Sequence, residues 1–176
     1  MSIKRTLFGL LVKTKEIIGK IENWPQLVLW NVQRGKNLHL RGLLHITNYG
    51  KIEIGDNVSI NSNLESSELG FYPKTILHTS QTGEIIVGDN SGLSNVCINS
   101  RNLIKIGKNV RLGAGVKLYD NDFHDLSKTV DGKNPVEIPS KPIIIDDDVF
   151  IGAGSIVLKG VHIRGGGSYW RRFSGN

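Results

Sequence analysis

The sequence predicts an all-β solenoid of very short parallel strands, a β-helix, preceded by one helix. Three observations carry that reading. Four segments are alike: "IGDNVS" from Ile54, "VGDNSG" from Val87, "IGKNVR" from Ile106 and "IDDDVF" from Ile145. Aligned on them, the chain repeats in units of six, with an aliphatic at position one and a small or β-branched residue at position five. Between those slots lie Gly, Asp, Asn and Lys, which suit tight turns because Gly and Asn accept positive φ at little cost.

The elements follow in chain order. Residues 1–41 read as a helical cap or arm. Ile3, Leu7, Leu10, Ile17, Ile21 and Trp24 recur at three-four spacing, with Thr14 in the gap. Residues 1–24 therefore form an amphipathic helix, which Pro25 is expected to end. Lys4, Arg5, Lys13, Lys15 and Lys20 make its other side basic. Two compatible roles suit it. It covers the open edge of the first coil, which a solenoid needs and which is the favoured role, or it makes peripheral contact with an anionic membrane surface.

Residues 42–163 form the repeat domain. The aliphatic slots are Ile54, Ile60, Val87, Leu93, Ile106, Leu112, Leu118, Ile145, Ile151, Val157 and Ile163. The position-five slots are Val58, Leu64, Ser91, Cys97, Val110, Val116, Val149, Ser155 and Val161. Three units close one triangular coil, and stacked coils bury a continuous aliphatic ladder. The aligned segments start 33, 19 and 39 residues apart, so loop excursions are expected at about 66–85 and about 123–141. An irregular β-sandwich is the competing reading, and it accounts less well for four in-register copies.

Residues 164–176 lose the rhythm and read as an irregular, disordered tail: three glycines, then "SYWRRFSGN". Shifted by one base at Ser168, the codons permit Arg-Ile-Gly-Ala-Gly-Ser-Val-Val-Thr, nearly a further coil. A frameshift near 164–168 is the expectation, to be checked by reading the gene.

Composition narrows the class. A chain of 176 residues suits one domain. The net charge of +6 is uneven: residues 1–41 hold eight Lys/Arg against two acids, and 164–176 hold three Arg and no acid. Residues 42–163 hold eleven basic and fourteen acidic side chains, so no nucleic-acid partner is read from the charge. One cysteine means no internal disulfide and suits a reducing compartment. No apolar run spans a bilayer, and Lys13, Lys15 and Glu16 interrupt any signal peptide, so the expected location is cytoplasmic. The histidines at 39, 45, 78, 124 and 162 lie far apart, and no metal is expected.

"IGDNV", "IGKNVRLGAGVKL" and "IDDDVFIGAGSIVLKGV" resemble the hexapeptide-repeat acyltransferases over about 46–163. The likeness is greatest to sugar and capsular polysaccharide O-acetyltransferases of the maltose/galactoside acetyltransferase type, which carry an Asp-x-Asp-Phe-His stretch, here "DNDFH". The resemblance implies a single-stranded left-handed parallel β-helix, although the general crossover rule favours the opposite hand. It also implies a homotrimer with the active site between subunits, acetyl-CoA as co-substrate and a sugar or glycan acceptor. The stretch after Ile163 departs from the family pattern, in which a further glycine-turn coil helps to wall the CoA site.

The chemistry centres on "LYDNDFHDLSK". Counting in sixes from Leu118 puts Asp122 on an inward position-five slot and His124 on the next aliphatic slot. Either both are buried polar groups, or the chain leaves the coil here as a loop. A local rule broken in this way marks a functional site. The resemblance implies that His124 is the general base that deprotonates a sugar hydroxyl for attack on the thioester carbonyl. Asp122 or Asp120 would orient the imidazole, and backbone N–H groups near Gly113 and Ala114 would hold the oxyanion.

The resemblance also implies that the pantetheine arm lies along the backbone at Gly152, Ala153, Gly154 and Ser155, with Lys159 on a CoA phosphate. Ser94 and Asn95 are acceptor-contact candidates. Cys97, on an inward slot, reads as core. The alternative function is a non-catalytic β-helical oligomer, or an enzyme remnant without full CoA binding. His124 in its broken ladder favours the enzyme.

Overall fold

A computed structural model describes residues 3–63, 74–124, 138–165 and 168–169, with side chains in the helix at Thr14 and from Ile17 onward. Helix α1 (Ile3–Leu29) precedes strands that stack as coils. The first coil is β1 (Gln33–Arg34), β2 (His39–Arg41) and β3 (His45–Asn48). The second is β4 (Lys51–Ile54), β5 (Ser59–Asn61) and β6 (Ile76–Thr79). The third is β7 (Glu84–Val87), β8 (Gly92–Ser94) and β9 (Cys97–Ser100), and the fourth β10 (Leu103–Ile106), β11 (Arg111–Leu112) and β12 (Lys117–Tyr119). The fifth is β13 (Ile143–Ile145), β14 (Phe150–Ile151) and β15 (Ile156–Leu158), and β16 (His162–Ile163) and β17 (Ser168–Tyr169) follow.

Every third strand joins the same sheet, giving three parallel sheets: β1-β4-β7-β10-β13-β16, β2-β5-β8-β11-β14-β17 and β3-β6-β9-β12-β15. The chain is a three-sided parallel β-solenoid, because each short strand can bury one aliphatic face only against the coils above and below. Ile52, Ile85, Ile104 and Ile143 stand in register, as do Ile54, Val87, Ile106 and Ile145. All eleven aliphatic slots are buried.

The Gly-Asp-Asn corners explain the repeat. Asn37, Asn57, Asn90, Asn109 and Asp148 sit at φ between 56° and 59°. Their side chains bond from coil to coil, with Asn37 donating to Asn57 at 3.0 Å, Asn57 to Asn90 at 3.2 Å and Asn109 to Asp148 at 2.9 Å. At three of these corners the preceding Asp accepts a backbone N–H from the neighbouring coil: Asp56 from Lys36 at 2.6 Å, Asp89 from Asp56 at 2.9 Å and Asp147 from Lys108 at 2.7 Å. Glycine comes before Asp56 and Asp89 because the coils leave no room: a Cβ on Gly88 would lie 2.6 Å from the Gly107 carbonyl carbon. Gly88→Ala is expected to destabilise the chain by about 2–3 kcal/mol, read as a lower denaturant midpoint at unchanged slope.

Several slots differ from the count of six. Cys97 is half-buried and paired in register with the exposed Lys117, so it faces outward and is not core. Val96 and Ile98 point inward instead. Leu93 pairs with Leu112, and Ile98 with Leu118, so this turn is one residue shorter than the next one, closed by Asn95 at φ 50°. Leu64 lies outside the described residues. The first excursion is narrower than 66–85, because 76–79 and 84–87 are strands β6 and β7; residues 64–73 lie outside the description. Asp122 and His124 are exposed, and the inward residue is Asp120. The tail is not wholly irregular: Ser168–Tyr169 pairs with β14, Tyr169 in register with Ile151.

Helix α1 does not stop before Pro25 but continues to Leu29. Proline removes the donor for the Ile21 carbonyl, yet Ile21 and Pro25 are both exposed, so water can serve that carbonyl. The helix covers the open edge of the first coil with a polar strip. The Asn23 amide donates to the Gly42 carbonyl at 2.9 Å and accepts the Leu44 N–H at 2.7 Å. The Gln26 amide donates to the Leu44 carbonyl at 3.0 Å and accepts the Ile46 N–H at 3.2 Å. These two amides stand in for the missing neighbour strand of β3. Asn23→Ala strips these two bonds and the amide's 2.6 Å bond to the Gly19 carbonyl from a fully buried site, and is expected to cost about 2–3 kcal/mol, seen as an earlier thermal transition.

Candidate active site

Strand alternation continues past Leu118, so Tyr119 faces out and Asp120 faces in. Asp120 is fully buried. Its Oδ1 accepts the Arg101 N–H at 2.8 Å and the Asn121 amide at 3.1 Å. Its Oδ2 accepts the Asn102 N–H at 2.9 Å and faces the Ser100 hydroxyl at 2.7 Å. That shell compensates a buried charge and ties the β9–β10 corner to the coil above. Asp120 is thus committed to the scaffold, and among the described residues it makes no bond to the His124 ring.

The chain leaves the coil immediately afterwards. The Asp122 N–H donates to the Pro139 carbonyl at 3.2 Å, the Lys141 N–H to the Asp120 carbonyl at 2.9 Å, and Asn121 and Ser140 form an antiparallel bridge. The excursion is therefore clamped at its root; residues 125–137 lie outside the description. Asn121 organises the exit. Its Oδ1 accepts the Phe123 N–H at 3.0 Å, and its amide donates to Asn99 Oδ1 at 3.1 Å.

Phe123 then adopts φ 60°, and the His124 N–H closes onto the Asp122 carbonyl at 2.6 Å. An aromatic residue at positive φ is a strained choice, sustained here by the bonds on either side. The Phe123 ring stands edge-on to Tyr119, with centroids 5.1 Å apart. The turn holds His124 exposed at the loop root. The Asp122 carboxylate pairs with Lys159 of the next coil, so both of these side chains brace the root. Lys159 is thus ion-paired with Asp122 in this arrangement.

The remaining candidates gather at a different corner, between the second and third sheets. Gly113 and Ala114 stack beneath Gly152, Ala153 and Gly154. A Cβ on Gly113 would lie 2.7 Å from the Ala153 nitrogen, and the Gly154 N–H donates to the Ala114 carbonyl at 2.9 Å. The Gly113 N–H donates to the Ile151 carbonyl at 2.9 Å, so the coil ladder already uses that oxyanion donor. Ser155 is buried, its hydroxyl 2.7 Å from the Gly152 carbonyl, and it closes its own turn.

Ser94 and Asn95 belong to the same corner, one coil below. Ser94 accepts the Asn61 amide at 3.2 Å, and buried Asn95 donates to the Asn63 carbonyl at 3.1 Å. The width of β12, about 10 Å at ~3.3 Å per residue, separates this small-residue corner from His124.

Between the two corners lies the outer face of the third sheet, with Cys97, Asn99, Tyr119 and Leu158, and Phe123 of the loop root stands against Tyr119. Burial first, and then the hydrogen bond with Cys97, holds the Tyr119 phenol above its ordinary pKa, so it stays a neutral hydroxyl. Exposed Phe123 precedes His124, and exposed Leu158, in register with Tyr119, adds apolar surface to this face. The Asn in "YDNDF" held a partial signal for the loop exit, since Asn readily accepts the backbone N–H two residues on, as Asn121 does from Phe123. Among the described residues, no group of three His, Cys, Asp or Glu side chains is disposed to hold a metal ion. Comparison of the chain with protein-family models and with curated proteins finds no match.

Proposed function

We propose that the chain is an acetyl-CoA-dependent O-acetyltransferase acting on a hydroxyl of a sugar or surface-polysaccharide precursor. The observation that supports it most is the loop root, where a strained turn at Phe123 presents an exposed imidazole beside an aromatic and apolar floor. In this reading His124 takes the proton from the acceptor hydroxyl as its oxygen attacks the thioester carbonyl. The carbon–sulfur bond then breaks, and the imidazolium returns the proton to the leaving CoA thiolate.

The coil is taken as left-handed and the assembly as a homotrimer, after the family that "DNDFH" and the glycine turns resemble. One chain's small-residue corner, Gly113–Ala114 and Gly152–Gly154, would then carry the pantetheine arm toward a neighbour's His124. A trimer accounts for how a single site could use residues that one chain holds apart. The cytoplasm is the matching location, since the co-substrate is a CoA thioester.

The test is to incubate the full chain with acetyl-CoA and a panel of sugars, following thiol release and the mass of the acceptor. Sugar-dependent thiol release with a matching acetylated product is expected. A chain that neither releases thiol nor binds acetyl-CoA would be the non-catalytic oligomer, and the proposal would fall.

A further inference from the structure

Helix α1 turns its apolar side away from the protein. The strip it buries is Gly19, Asn23 and Leu27, with Gln26 half-buried beside it. Ile17, Ile21, Trp24 and Val28 are 59%, 68%, 56% and 58% exposed. At 3.6 residues per turn the two strips fall on opposite sides of the helix. Among the described residues, eight of the ten exposed large hydrophobics lie at this end: six on α1, with Leu43 and Tyr49 of the coil beneath it. Apolar exposure concentrated in this way marks an interaction surface.

The orientation of the helix shapes that surface. Asn23 bonds Gly42 and Leu44, Gln26 bonds Leu44 and Ile46, and the Asn48 amide donates to the Trp30 carbonyl at 2.9 Å. The helix thus runs from the second side of the first coil, where Gly19 lies against the Leu40 carbonyl, to the third, across the end of the coil stack. Its apolar strip faces outward along the solenoid axis, as a ridge at one end of the molecule.

The charge around the ridge is positive. Lys20, Arg34 and Lys36 are exposed, and the Arg34 guanidinium carbon sits 4.3 Å from the centre of the Trp24 ring. A cleft of about 260 Å³ between helix and coil is lined by Lys20, Trp24 and Arg34 over Leu27 and Leu38. Residues 1–41 as a whole carry eight basic against two acidic side chains. Among the described residues no helix is long and apolar enough to cross a membrane.

We propose that this end of the molecule docks on an anionic lipid bilayer. α1 lies in the interfacial plane with Ile17, Ile21, Trp24 and Val28 at the acyl boundary, and Lys20 and Arg34 meet headgroup phosphates. A second copy suits the ridge less well, because pairing two such faces sets their cations against one another, whereas anionic headgroups neutralise them. The inference stands independently of the acetyltransferase reading.

The experiment is flotation of the full chain with phosphatidylcholine vesicles, with and without about 30 mol % phosphatidylglycerol. Binding is expected on the anionic vesicles, about tenfold or more weaker on neutral ones, and reversed by about 0.5 M NaCl. Ile21→Asp, at an exposed site, keeps the melting temperature and lowers anionic binding about tenfold or more. Lys20→Glu with Arg34→Glu abolishes the anionic preference. Absence of binding to anionic vesicles at low salt, or binding by Ile21→Asp equal to the parent, overturns the proposal. It also falls if the parent ignores vesicles and Ile21→Asp instead lowers the oligomeric mass by light scattering, since the ridge then belongs to a second copy.

Discussion

Replacing His124 by alanine is expected to lower the rate of acetyl transfer by about 10²–10⁴-fold without shifting the thermal transition. The ring is exposed, and His124 is held through its backbone N–H on Asp122, so the substitution removes a reacting group and leaves the turn intact. The loss should fall on kcat, with the KM for acetyl-CoA little changed, because the base acts in the transition state and not in binding the thioester. Imidazole added to the assay should restore part of the rate by supplying the missing base from solution. Equal activity of the variant and the parent would remove His124 from the mechanism.

Asp120→Ala is expected to destabilise the solenoid by about 3–5 kcal/mol. Alanine leaves the Arg101 and Asn102 N–H groups without their acceptor, while the Ser100 hydroxyl keeps the Glu84 carbonyl at 3.0 Å and the Asn121 amide keeps Asn99 Oδ1 at 3.1 Å. A buried donor left unsatisfied costs about 1–3 kcal/mol, and neighbouring losses do not add fully. Against a total stability on the order of 5–15 kcal/mol, such a change should lower the melting temperature by roughly 10 °C.

Asp120→Asn keeps the shape but turns one amide N–H₂ toward donors, and it should retain a smaller part of the loss. Its kcat, measured where it is folded, should stay close to the parent's, in contrast to His124→Ala. A collapse of kcat in folded Asp120→Asn would return Asp120 to the role of orienting the imidazole. Melting of Asp120→Ala within a degree or two of the parent would contradict the bonding described.

The difference between Asp120 and Asp122 shows how far counting carries. A period of six describes one strand and one corner together, whereas within a strand the faces alternate every residue. Counting from Leu118 in sixes jumps across a corner the chain never makes, because it leaves the coil at Asp122. Alternation alone selects Asp120. Cys97 was misplaced for a related reason: its preceding turn has one residue fewer, and turn length is set by backbone closure rather than by residue type. His124 was legible as an interruption of the ladder, but the Asn121 pin, the Tyr119–Phe123 contact and the Lys159 brace need neighbours from other coils.

By itself the sequence determined the coil: eleven aliphatic slots, the Asn and Gly corners and the place where the chain must leave, all properties that repeat locally and need no long-range partner. It also determined that the first helix is two-faced. Only the tertiary structure decided which face goes in. The end of a stack of coils is an open strand edge, a row of backbone N–H and C=O groups, and an apolar cover would leave them unpaired at a cost for each. Asn23 and Gln26 satisfy that edge, so the polar strip docks and the apolar strip is left facing outward.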